Sequence, residues 1–153
     1  ETPAEMIALA YGMEMGLGIV YREMAERSDD PELKSLLTML ADIESQHKKR
    51  LLEILAEADS PISDEAAYEA DLRPSILEGG FGLNDFIQGN ESFFGSVQGV
   101  LDLAMMLETQ ALDLYLRFAD KSADEGTQKV LFSIADEEKA HLSSLGNLME
   151  LKI

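Results

Sequence analysis

The two histidines of this chain occupy the same place in the same motif. Glu44-Ser45-Gln46-His47 and Glu138-Lys139-Ala140-His141 are each Glu-x-x-His, and 30 residues upstream of each motif glutamate stand Glu14 and Glu108. The two sets superpose at one offset of 94 residues without a gap. Glutamate is 18 of 153 residues, so both spacings arising at both histidines by chance has odds of about 10⁻⁴. The same offset matches Leu9 with Leu103, Tyr21 with Tyr115, Ala25 with Ala119, Asp30 with Asp124, Asp42 with Asp136 and Leu51 with Leu145. Four glutamates and two histidines in this order are the ligand set of a carboxylate-bridged two-metal site inside a four-helix bundle.

The chain between these residues reads as helix. Thr2-Pro3-Ala4-Glu5 carries a Thr cap, a proline in the first turn and a glutamate three residues on. Met6, Leu9, Ala10, Met13, Leu17, Val20 and Met24 then recur at helical spacing. The pattern predicts helices over about 2–28, 32–58, 96–121 and 124–149, with strand signals nearly absent. Short loops at 28–31 and 121–124 make the first and second, and the third and fourth, antiparallel neighbours. Residues 62–95 hold Pro74, five glycines and Phe81, Phe86, Phe93 and Phe94. They predict a long crossover with short helical turns at 63–71 and 84–88, its phenylalanines packed onto the bundle. The expected fold is all-α, two antiparallel hairpins joined by one crossover and related by a pseudo-twofold axis, within a single domain over 1–153.

On a helix, positions i and i+3 share a face, so each glutamate can point with its histidine at one place. Glu14 and His47 are expected to serve one metal, Glu108 and His141 the other, with Glu44 and Glu138 bridging. Mostly oxygen donors with one imidazole per metal favour two iron ions, with manganese as the alternative. Two divalent cations would cancel four buried carboxylate charges that otherwise repel. Tyr21 and Tyr115 follow Glu14 and Glu108 by seven residues, nearly two turns. They are expected to hydrogen-bond ligand carboxylates from outside the metal's own shell. Their repetition in both halves disfavours ordinary core tyrosines. Asp42 and Asp136 fall on another face and are read as solvated. Met13, Met105 and Met106 are read as core filler. Gly12, Gly16 and Gly18 weaken the first helix and are expected to form an exposed face for a homodimer contact.

Composition limits the partners. A net charge of −18 argues against nucleic acid and against anionic membranes. No apolar run approaches the ~18 residues of a membrane span. The absence of cysteine removes disulfides and thiolate metal sites and leaves a reducing cytoplasm as the default compartment. A chain that begins at Glu1 fits a processed form or part of a longer multidomain protein.

Glu14 with Tyr21, Glu44-x-x-His47, Glu108 with Tyr115 and Glu138-x-x-His141 resemble the rubrerythrin-like branch of the ferritin-like superfamily. That resemblance, which covers nearly the whole chain, implies a ferritin-like four-helix bundle whose di-iron centre reacts with O₂ or H₂O₂ as oxidase, peroxidase or ferroxidase. Two departures are visible. Rubrerythrins carry a further glutamate three residues after the third-helix ligand, where this chain has Ala111, opposite Leu17 in the repeat. They also carry a cysteine-ligated rubredoxin domain, and its absence here implies an external electron donor. The leading expectation is therefore a di-iron oxidoreductase. Ferroxidase action with iron storage or transfer ranks second, and a metal-free helical interaction or regulatory domain is the alternative of another class.

Overall fold

Helix α1 (Pro3–Arg27) begins where Thr2 closes a capping box. The Thr2 hydroxyl accepts from the Glu5 N–H at 3.2 Å, and the Glu5 carboxylate accepts from the Thr2 N–H at 3.0 Å. Two otherwise orphaned backbone donors are thereby satisfied. The computed structural model describes residues 2–57, 65–70 and 83–152. Helix α2 (Pro31–Glu57) follows a turn in which Asp30 accepts from the Leu33 N–H at 3.0 Å. Helices α3 (Glu65–Ala70) and α4 (Leu83–Gly89) and a 3₁₀ turn at Glu91–Gly95 lie in the connection. Ser96 then caps α5 (Val97–Lys121) through the Gly99 N–H, and Asp124 caps α6 (Glu125–Lys152) through the Thr127 N–H at 2.8 Å.

Helices α1 and α5 start at residues 3 and 97 and end at 27 and 121, while α2 and α6 start at 31 and 125. Each of these pairs lies 94 positions apart. Ser28 and Ser122 close α1 and α5 with the same bond, 3.3 Å from their N–H to the carbonyls of Ala25 and Ala119. Matching local caps therefore set the same bounds for α1 and α5 and the same starts for α2 and α6.

Packing joins α1 to α2 and α5 to α6 most extensively, as the short loops require, and the two pairs meet through α1 with α5 and α2 with α6. The fold is an all-α ferritin-like bundle, and no strand occurs among the described residues. Leu17, Val20, Leu37, Leu40, Leu101, Leu107 and Ile134 are buried along the seam, each worth about 1.5–3 kcal/mol of transfer from water. No described helix is long and apolar enough to cross a membrane.

Several expectations are corrected. The fourth long helix runs to Lys152 rather than 149, because no breaker stops it and the Lys152 ammonium meets Asp30 at 3.1 Å and Glu32 at 3.0 Å. Gly12 and Gly16 are buried within this one chain, so they form no exposed contact face. Met106 is 42% exposed and fills no core, whereas Met13 does and Met105 packs partly against it. Among the crossover phenylalanines, Phe94 packs on the core with Arg27 5.0 Å over its ring, but Phe93 is exposed. Phe81, Pro74 and the Phe86 side chain lie outside the described residues.

Candidate metal centre

Six charged or polar side chains are buried in the middle of the bundle: Glu14, Glu44, His47, Glu108, Glu138 and His141. They come from four helices, one glutamate each from α1 and α5 and a Glu-x-x-His pair each from α2 and α6. All six expected metal ligands are thus brought together. Glu14, Glu44, His47 and Glu138 each offer an atom within 4.8 Å of the others, and so do Glu44, Glu108, Glu138 and His141. Glu44 and Glu138 belong to both groups. The two imidazoles stack with centroids 6.0 Å apart and planes 20° from parallel.

The centre is short of hydrogen-bond donors. Glu14 Oε2, both oxygens of Glu44, both of Glu138 and His47 Nδ1 are buried with no hydrogen-bond partner. His47 Nδ1 lies 3.0 Å from Glu138 Oε1, 3.5 Å from Glu44 Oε2 and 3.6 Å from Glu14 Oε1, yet none of these contacts has hydrogen-bond geometry. Orphaned buried oxygens cost about 1–3 kcal/mol each, more when charged. Five such oxygens converging with an imidazole nitrogen fit cations as the missing partner. The donor set, carboxylate-rich with a histidine in each group, suits a hard or borderline divalent metal.

Without a cation the cluster holds protons. Burial, then the charges of Glu14 and Glu138, push the Glu44 carboxyl well above the usual carboxylate range. Burial and then Glu138 push Glu108 up to about 8, with His141 opposing. For Glu138 burial also acts upward, but the facing Glu108, His141 and His47 groups outweigh it and hold the carboxyl below its ordinary value. Burial disfavours both imidazolium ions, yet the neighbouring carboxylates win, raising His47 to about 10 and His141 to about 9.

The two expected outer tyrosines donate to carboxylates, but across the bundle. The Tyr21 hydroxyl donates to Glu108 at 2.7 Å, and the Tyr115 hydroxyl donates to Glu14 at 2.5 Å. The Cα of each tyrosine lies about 10.5 Å along its helix from that of its own motif glutamate, and each hydroxyl bonds the glutamate of the other half. The pairs 21 with 108 and 14 with 115 run in reverse order, so α1 and α5 lie antiparallel. Burial first, then carboxylate charge, raise both phenols well above their ordinary value and keep them donors. Asp42 and Asp136 stay outside the centre, exposed beside Arg22 and Lys139. The position of the extra rubrerythrin glutamate, Ala111, is fully buried, as is Leu17.

Two polar groups beside the centre escaped the sequence reading. Glu137 accepts from His47 Nε2 at 3.1 Å and pairs with Arg50. Tyr11 donates toward Glu65 at 2.9 Å and Glu69 at 2.7 Å, with Lys48 2.7 Å from Glu69. Neither repeats at the 94-residue offset, so the signal that exposed the other residues was silent for them.

The comparisons with known proteins agree with this geometry. No curated protein matches the chain. Among solved structures, a hypothetical protein from Pyrococcus furiosus superposes with a TM-score of 0.68 at 22% identity, covering 98% of this chain and 89% of that one, which shows a shared fold. The family model for Rubrerythrin matches residues 5–149, which include all six cluster side chains and both tyrosines. The chain belongs to the Rubrerythrin family.

Proposed function

We propose that this protein is a non-haem di-iron oxidoreductase that acts on O₂ or H₂O₂ and draws electrons from an external donor. The observation that carries the proposal is the convergence of partnerless buried oxygens of Glu14, Glu44 and Glu138 with His47 Nδ1. Glu14 with His47 would hold one ion and Glu108 with His141 the other, while Glu44 and Glu138 reach both groups. Iron held there would supply electrons for reduction of the oxidant.

The chain's own residues position and protect. Tyr21 and Tyr115 fix one oxygen each of Glu108 and Glu14, leaving the other to face the centre. Glu44 has no protein hydrogen bond on either oxygen, so both oxygens are left for cations. Leu17, Leu40 and Ala111 are fully buried and help exclude water from the bundle interior. Oxygen donors with one imidazole per ion favour iron, with manganese the competing occupant.

Anaerobic titration of metal-free protein with iron(II) should saturate at two ions per chain. Stopped-flow mixing of the loaded protein with O₂ or H₂O₂ should then give a fast absorbance change, and the faster oxidant identifies the reaction. Absence of iron binding, or of any oxidation by either oxidant, would refute the proposal.

A further inference from the structure

The two histidines are equivalent in the sequence motif but differ in what stands behind them. His47 turns Nδ1 to the centre, and its Nε2 lies 3.1 Å from Glu137 Oε2. Glu137 is the residue before Glu138 on α6, with a side chain 45% exposed. Its Oε2 also contacts the Arg50 guanidinium, which donates to the Ser133 hydroxyl at 2.8 Å. Arg50 thus anchors Glu137 and ties α2 to α6 beside the centre.

Nothing comparable supports His141. Its Nδ1 faces Glu108 at 3.3 Å, Glu44 at 3.5 Å and Glu138 at 3.7 Å, and no described residue accepts from its Nε2. The cause lies in the sequence. At the 94-residue offset Glu137 corresponds to Ile43, Arg50 to Ser144 and Ser133 to Met39. An isoleucine cannot accept a hydrogen bond, so among the described residues the support exists on the His47 side alone.

We propose that Glu137, held by Arg50, is a positioning residue that orients His47 and makes the two metal positions unequal, the Glu14/His47 position being the tighter. The inference rests on the metal-centre reading above. A carboxylate that accepts from the distal ring N–H fixes the tautomer with Nδ1 unprotonated, restrains the ring and raises ligand basicity. Removal of such outer partners commonly costs about 10–100-fold in metal affinity.

The test is a titration of the metal-free full chain with cobalt(II), read by visible absorption and by heat. The unmodified protein should bind two ions in resolved steps. Glu137→Ile, which copies the other half, should weaken the tighter step about 10–100-fold and leave the weaker one in place. Glu137→Gln keeps an oxygen that can accept from Nε2–H and should restore part of the loss. Because the chain has only two histidines, imidazole NMR of the metal-free protein reads both rings directly. The His47 signals should move in Glu137→Ile while those of His141 stay, and an unspecific packing defect would not produce that pattern. Two equal steps in the unmodified chain, or unchanged steps and unchanged ring signals in Glu137→Ile, would overturn the inference. A folded, unmodified chain that binds no cobalt(II) would overturn the metal-centre reading itself, and the inference with it.

Discussion

Stripping the metal and raising the pH should destabilise this fold, and the direction follows from the protons that the buried cluster retains. In the metal-free fold Glu108 is raised to about 8, chiefly by burial, while the carboxylates lift His47 to about 10 and His141 to about 9 against the effect of burial. In the unfolded chain these groups return to about 4.3 for glutamate and about 6.5 for histidine. A raised folded value means that the stabilisation is complete below the unfolded value and is lost as pH climbs through the folded one. Glu138, whose carboxyl is lowered, works the other way, but only on the acid side of the ordinary glutamate range. Stability should therefore fall as pH rises from roughly 4.3, the unfolded value of Glu108, to about 10, where His47 loses its proton. Each net proton retained contributes a slope of about 1.4 kcal/mol per pH unit. One net proton across two pH units amounts to about 3 kcal/mol, and for a chain of this length that lowers the melting temperature by roughly 6–12 °C. Melts of chelator-treated protein followed by circular dichroism across that range measure the effect. Divalent cations need the same ligands deprotonated, so manganese(II)-loaded protein should show the opposite slope. A melting temperature that is flat or rises with pH in the chelated protein would refute the idea that the cluster stores protons when metal is absent.

Three further outcomes are expected. Replacing Tyr115 by Phe removes the 2.5 Å bond to Glu14 inside the core and should cost about 1.5–3 kcal/mol in chemical denaturation; an unchanged midpoint would mean that the phenol does not hold the carboxylate. His47→Ala and His141→Ala should each reduce bound iron by one ion per chain in elemental analysis, and two ions retained in both variants would remove the histidines from the ligand set. Leu17→Ala opens a cavity at a fully buried position next to the centre and should cost about 2–5 kcal/mol; a loss well under 1 kcal/mol in urea titration would show that the seam there is loosely packed.

Much of this molecule is set by local chemistry that one reads along the chain. Thr2, Asp30, Ser96 and Asp124 cap four helices because their side chains satisfy the nearest free N–H groups, whatever packs later. The i, i+3 spacing of Glu44 with His47 and of Glu138 with His141 puts each pair on one face, and the apolar stripes beside them turn that face inward. The six side chains of the buried cluster were therefore legible in residue order and periodicity. What lies between helices was not. Seven residues place Tyr21 on the face of Glu14, but the antiparallel docking of α1 on α5 gives the phenol to Glu108. Gly12 and Gly16 looked like an outer contact face, yet packing within the chain buries them. Nothing in the sequence singled out Glu137; only the docking of α6 on α2 sets it against His47 and Arg50. Caps, periods and spacings act over one or two turns and are written in the order of residues. Partners across a bundle depend on how two helical hairpins slide and rotate together, and that is fixed by the whole core at once.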